Sequence, residues 1–309
     1  MFSIIIFDNK ERFMELRNII SFLKVNELSS FSKAAEVLGY TQSNISSHIR
    51  QLEKELNHPL FERFGKNIYL TEYGKTFLPY ALEITNTVEQ AKLTLCDDCS
   101  SIKELRIGIL ESLCTTYMPN LVTDFHKIYP GINIIIKIGT FQELSNMLNT
   151  HQIDLLWTFD YQFDTDMWIK ALEHEEHIYV ITASKDSLND KKNYTLDALQ
   201  NSNFIFTEQN CSYRNLFENI LKKNNIAYTI FMEIGNTEII KKFVNSGLCL
   251  SVLPEFAIQK DLENNTLQIL PIVDVSLTMY SQIFYHKNKF ISPCMKDFLT
   301  LLKKYFVTV

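Results

Sequence analysis

The amino-acid sequence predicts a multidomain α+β chain: an N-terminal winged helix-turn-helix, a long linker helix, and a C-terminal α/β region of two lobes. Three observations carry this prediction. Residues 31–50 hold two short helical patterns joined by a tight turn, and a hairpin signal with basic residues follows them. A helical run of about seven turns then carries an apolar heptad stripe. Beyond it, strand and helix patterns alternate to the end of the chain, as crossover-connected and largely parallel sheets require.

Composition sets the limits within which these elements must fit. With 309 residues and 46% hydrophobic content, the chain can build two or three domains with proper cores. No stretch approaches the roughly 18 consecutive apolar residues of a membrane span. The opening "MFSIIIFDNK" has neither a basic leader nor a long apolar core, so a cytoplasmic protein is expected. Residues 1–13 read as a β-prone extension. The helical periodicity of Leu16, Ile19, Ile20 and Leu23 begins at Met14, which places the functional start nearer Met14. The net charge of −6 is unevenly spread. From Met14 to Leu70, seven Lys or Arg face six Asp or Glu, giving +1, while from Asp97 onward nineteen face twenty-five, giving −6. A monomer with so weak a basic footprint would bind nucleic acid poorly, so an assembly is expected.

The first domain is assigned to residues 14–71. In "SSFSKAAEVLGYT", Ser30 is placed to cap a short helix, Ala34, Ala35 and Leu38 share one face, and Gly39 ends it. Thr41 can cap the next helix, "TQSNISSHIRQLEKEL", in which Ile45, Ile49, Leu52 and Leu56 recur at steps of four, three and four and must face a core. The opposite side carries Gln42, Ser43, Ser46, Ser47 and Arg50, with Thr41 and Asn44 at its opening. Ser and Asn weaken a helix by competing for its backbone, so a solvated helix would fill that side with Glu and Lys instead. A thin polar face of this kind fits a major groove. The run "HPLFERFGKNIYLTEYG" then reads as two short strands around Phe64-Gly65-Lys66, a wing with Arg63 and Lys66 near its tip. An ordinary surface hairpin is the plainer alternative.

Residues 72–96 are assigned to the linker helix. Phe77, Ala81, Ile84, Val88, Ala91 and Leu95 form the heptad stripe, which calls for a partner helix and so for a homodimer or homotetramer. A helix lying on its own C-terminal domain would also explain the stripe. Pro79 removes one backbone bond and should kink the helix near Lys75. The polar "CDDCSSIKE" contains a hinge at 97–103.

The order of elements, with the alanine pair, the Thr-Gln opening of the second helix, "PLFER" and "LTEYG", resembles the LysR-type transcriptional regulators over essentially the whole chain from Met14. The resemblance implies sequence-specific binding of double-stranded DNA and control by a small-molecule effector bound in a two-lobed domain similar to the type 2 periplasmic binding proteins. By position, Gln42, Ser43 and Ser47 would face base edges, and Arg50, Arg63 and Lys66 would serve phosphates or the minor groove. Many members have Pro at the position of Ser43 and Arg at that of Ser47, so base preference does not transfer.

In the second half, "LRIGIL", "INIIIKIGT" and "IDLLWTF" read as strands, with "LVTDFHKIYP" and "FQELSNMLNT" as helices between them. A second set follows in "HIYVITA", "NFIFTE", a helix over 212–223, "AYTIFMEIG", a helix over 238–245 and "LCLSVLP". The expected domain is 104–309, with lobe I at about 104–176 and 284–309 and lobe II at about 177–283. The resemblance places effectors between the lobes, near Ser112, Thr140, Thr207 and Asn236, all short polar residues after apolar strands. Arg214 adds a positive charge near a helix N-terminus, so the expected effector bears a carboxylate. The alternative is that these residues only cap helices and that Arg214 pairs with a surface carboxylate. Cys249 stands where many members have Gly.

Other chemistry finds little support. The sequence holds no GxSxG, no phosphate-cradling glycine loop and no HExxH. An enzyme is therefore not expected, nor is a cofactor. His174 and His177 beside Glu173, Glu175 and Glu176 read as a solvated connection rather than a metal site. Cys96 and Cys99 form a single CxxC without the second ligand pair that zinc needs. A redox role for that pair, or for Cys211, whose thiol would be acidified at a helix N-terminus near Arg214, is an alternative reading. Cys114, Cys249 and Cys294 lie in apolar runs and are expected in the core. A DNA-binding architectural protein without ligand control would leave two α/β lobes unexplained.

Overall fold

The computed structural model describes residues 14–64, 67–94, 104–184 and 193–307. The chain divides into two compact units, Met1–Cys96 and Asp97–Val309. No helix among the described residues is long and apolar enough to cross a membrane.

The first unit contains helices α1 (Leu16–Leu28), α2 (Phe31–Leu38) and α3 (Gln42–Leu56), strands β1 (Phe61–Phe64) and β2 (Asn67–Leu70), and helix α4 (Glu72–Thr94). Its core gathers Ile19, Phe22 and Val25 of α1, Ala34 and Ala35 of α2, and Ile45, Ile49 and Leu52 of α3. The rings of Phe61 and Phe77 lie 5.3 and 5.2 Å from that of Phe22, tying strand and long helix to the three-helix core. β1 and β2 pair antiparallel from Phe61↔Leu70 to Phe64↔Asn67. The entry to α4 is fixed by Thr71, which donates to Pro59 O and accepts from the N–H of Gly74. A Cβ on Gly74 would sit 2.2 Å from Leu60 O, so no larger residue fits there.

The linker stripe divides in a way that the heptad reading did not anticipate. Ala81 is fully buried in the first unit's own core and Phe77 packs against it, because the first turns of α4 lie on α1. Only the distal part is left over: Ile84 is exposed, Val88 half-buried and Ala91 exposed. Leu95 lies outside the described residues.

The second unit is built on one seven-stranded sheet. Strands β3 (Glu104–Ile109), β4 (Asn133–Ile138) and β5 (Leu155–Asp160) are parallel, with β3 between the other two. β6 (Trp168–Ala183) and β11 (Leu277–His286) pair antiparallel with each other, and β11 also pairs with β5. β9 (Ser251–Pro254) and β10 (Leu267–Ile269) flank the far end of β6. β7 (Ser202–Phe206) and β8 (Tyr228–Glu233) form a separate parallel pair. The expected arrangement of two largely parallel sheets is therefore corrected: β6 and β11 are long enough to run through both lobes, and they join them by antiparallel pairing.

Helices α5 (Glu111–Ile128), α6 (Phe141–Asn149), α7 (Ser212–Lys223), α8 (Thr237–Asn245), α9 (Glu255–Glu263) and α10 (Pro293–Val307) cover the sheets. α5 starts about ten residues before the expected helix and continues through Pro119. Its buried face of Leu113, Tyr117, Leu121 and Phe125 repeats every four residues across that proline. α9, β10 and the short 3₁₀ turn Leu196–Leu199 were not anticipated.

The run "WIKALEHEEHIYVITA" is one strand rather than a solvated connection. His174 stacks on Phe306, with centroids 5.2 Å apart, and Glu176 is almost completely buried. The hydroxyl of Tyr117 donates to Glu176 at 3.3 Å. Burial pushes the Glu176 carboxyl up to about 7; the Tyr117 hydrogen bond partly offsets the rise and the nearby Glu255 charge adds to it. In the folded protein Glu176 therefore keeps its proton after the unfolded chain has lost it. Stability should fall as pH rises from the ordinary glutamate range to about 7, by up to about 3 kcal/mol, and level off above. Glu176→Gln should flatten that fall and leave the variant the more stable at about pH 8. Urea denaturation across this pH range checks both expectations.

Candidate functional site

Two places concentrate polar groups that the fold itself does not use. The first is the outer face of α3. Ser30 Oγ accepts from Lys33 N, Gly39 ends α2 at φ +69°, and Thr41 Oγ1 accepts from Asn44 N. These caps set the turn that presents α3. Burying Ile45, Ile49 and Leu52 leaves Thr41, Gln42, Ser43, Asn44, Ser47 and Arg50 exposed and Ser46 half-buried. His48 is a contributor that the sequence did not reveal. It hydrogen-bonds Ser21 of α1 at 2.8 Å and meets the ring of Tyr40 edge-on, and burial lowers its pKa, so α3 is pinned to α1 through this imidazole. Of the wing residues, Arg63 lies in β1 opposite Ile68, and Lys66 lies outside the described residues.

The second place is a cleft of about 410 Å³ in the second unit, where the ends of β3, β4, β5 and β7 meet the starts of α5, α6, α7 and α8. Ser112, Thr140 and Thr207 line it, together with Phe159, Cys211 and Tyr213. Asn236 lies beside it with its side chain engaged elsewhere, capping Ile239 N and donating to Glu111 at 3.2 Å.

Arg214 does not reach the cleft, which corrects the expectation of a free cation there. Its guanidinium is buried, donates to Thr207 O, and pairs with Glu233 at 2.8 Å and Glu218 at 3.3 Å. One turn of α7 separates Arg214 from Glu218, and β8 supplies Glu233, so the local geometry directs the charge away from the opening. The Cys211 thiol is also corrected: burial raises its pKa rather than the helix lowering it. Cys249 and Cys294 are buried as expected, Cys114 is half-buried, and Cys96 and Cys99 lie outside the described residues.

What the sequence did not reveal is the cleft's acidity. Glu111, Glu143, Asp160 and Glu208 line it, and among the described lining residues there is no Lys, Arg or His. Glu143 closes a capping box with Thr140, and those hydrogen bonds hold its pKa down. Glu111 accepts from Thr237 Oγ1 at 2.6 Å, linking the start of α5 to that of α8 across the cleft. Gly235 passes so close to Glu208 that a Cβ there would sit 2.8 Å from its carboxylate. No group of three His, Cys, Asp or Glu among the described residues could hold a metal ion.

A capped helix-turn-helix with a bare outer face, joined to a two-lobed domain with a polar cleft, defines a DNA-binding regulator that senses a small molecule. Residues 16–75 match the family of bacterial regulatory helix-turn-helix proteins of the LysR type, and residues 101–307 match the LysR substrate binding domain, so the chain belongs to the LysR family of transcriptional regulators. It is 33% identical over 95% of its length to the whole of the uncharacterized regulator YwqM of Bacillus subtilis. Full-length OxyR from Pseudomonas aeruginosa, solved with one cysteine replaced by aspartate, shares its fold, with a TM-score of 0.75 over 96% of this chain and 95% of that one at 18% identity. The regulatory domain of CcmR from Synechocystis, solved with 2-PG, covers 66% of this chain and 97% of its own, with a TM-score of 0.55 and 21% identity.

Arg214 is expected to hold the fold rather than a ligand. Replacing it with Ala should cost about 3 kcal/mol, because two carboxylates lose their buried partner. Glu233→Gln with Glu218→Gln in the same chain should recover part of that loss. Thermal unfolding of the single and triple variants measures both.

Proposed function

We propose that this LysR-type regulator reads base edges with Gln42, Ser43 and Ser47 of α3, while Arg50 and the wing residues Arg63 and Lys66 hold phosphates. The exposed, weakly helix-forming face of α3 carries this reading, since no neighbour among the described residues of the first unit uses it. Thr41, Asn44 and Ser46 would set the helix end against the backbone. The chain would act in the cytoplasm, without catalysis. A small effector would fill the cleft and change operator affinity, with Ser112, Thr140 and Thr207 contacting it. A carboxylate on that effector would be held by the start of α7 rather than by Arg214. Of the four helices that open on the cleft, α7 alone has no acidic residue in its first turn, and its N-cap Cys211 makes no side-chain capping bond. A thiol-based sensor is less well supported, because burial raises the pKa of the half-buried Cys211 thiol.

DNase footprinting on the DNA upstream of its own gene should show protection recurring at about 34 Å, the spacing of successive major grooves. Gln42→Ala should weaken specific binding by about 1–3 kcal/mol and spare random DNA. Arg50→Ala should weaken both and reduce the salt dependence. Equal losses on both DNAs for Gln42→Ala would remove that residue from base readout.

The assembly proposed is a homodimer or homotetramer joined through the distal part of α4. Charged residues at both Ile84 and Val88 should dissociate it, because an unpaired charge is costly to bury, and operator binding should fall with it. Ala81, buried within its own unit, is the internal contrast: Ala81→Glu should unfold the first unit rather than split the assembly. Sedimentation and circular dichroism separate the two outcomes.

A further inference from the structure

We infer that the cleft takes an ammonium-bearing zwitterion of the amino-acid class rather than a simple organic acid. This rests on the reading of the cleft as the effector site and adds the second pole of the ligand. Of the four carboxylates that line it, two are committed to the fold: Glu143 caps α6, and Glu111 holds the start of α8 through Thr237 and Asn236. The other two are largely unspent. Asp160 accepts only from the neighbouring N–H of Tyr161, and Glu208 has no side-chain hydrogen bond or ion pair among the described residues.

A second observation points to a ligand independently of charge. Thr158, which has no exposure, lines the same cleft, and its buried hydroxyl has no hydrogen-bond partner among the described residues. Buried hydroxyls are normally satisfied, so an orphan at the wall of a binding cleft marks a contact that a solute would complete. Thr158 and Asp160 stand two residues apart on β5 and therefore on the same face of the strand. A hydroxyl beside a carboxylate, with Glu208 lining the same cleft, suits an ammonium, which has three donors to place and a positive charge to balance. A lone carboxylate would meet like charge there instead. The uncapped start of α7 supplies an electropositive edge, and with it a place for the other pole of a zwitterion.

Isothermal titration calorimetry on the full-length protein tests this with three sets of probes: the standard L-amino acids, their des-amino carboxylic acids, and the corresponding decarboxylated amines. At least one amino acid should bind, and its des-amino and decarboxylated relatives should each bind at least about tenfold more weakly. Asp160→Asn and Thr158→Val should each weaken the amino acid by about tenfold or more, in variants whose unperturbed circular dichroism shows them folded. A des-amino acid or an amine that binds as tightly as its parent amino acid overturns the zwitterion while leaving the cleft as the effector site. Amino-acid binding that neither variant changes places the ligand elsewhere and overturns both readings, as does silence from all three sets.

Discussion

The pairing of β6 with β11 is the constraint on which the C-terminal unit depends. Both strands extend beyond the length that one lobe needs, and their antiparallel ladder runs from Leu277↔Ile178 to His286↔Trp168. One lobe builds β5 onto β11 and the other builds β9 and β10 onto β6, so a single ribbon fixes the separation of the lobes and hence the width of the cleft. It also explains why a glutamate is buried in the middle of a strand. Glu176 sits where α5 and α9 close over the ribbon, and Tyr117 gives its carboxyl a partner that apolar packing alone could not.

The electrostatics of the cleft follow from the same topology. Parallel strands deliver helix starts to one edge, and each start presents unsatisfied N–H groups and a partial positive charge. Such a cluster would attract any anion. Here the protein supplies its own: Glu111 and Glu143 occupy the starts of α5 and α6, and Glu111 reaches α8 as well. Arg214 is meanwhile held by Glu218 and Glu233 on the far side of α7. The cleft is thus acidic as a whole, a property of the sum of these groups and of no single one.

What was legible in the sequence was local. Ser30, Gly39 and Thr41 could be read as caps because a cap depends on a few adjacent residues, and the apolar steps of α3 declared its buried side directly. Ser112, Thr140 and Thr207 could be placed at the cleft through the family resemblance, which puts short polar residues at strand ends along its edge. Convergence was not legible. Glu111, Asp160 and Glu208 are remote in sequence and meet only through the crossovers, while Arg214 was misplaced because sequence spacing does not say on which side of a helix a partner from another strand will stand. Pro119 hid the first half of α5, and the charges of residues 173–177 hid the alternation of β6, whose inward positions from His174 to Val180 are the even-numbered ones.

The first turns of α4 belong to the core of the DNA-binding unit, through Phe77, Ala81 and the close approach at Gly74. A helix of 23 residues at about 1.5 Å per residue is about 34 Å long, and its first turns are anchored by packing that tolerates no slack. It therefore behaves as a lever arm with a welded root. A twist applied to its distal part would not be dissipated at the root but would reach α3 as rotation of a rigid body. A few degrees of torsion there would be enough to move the bare face of that helix relative to a groove.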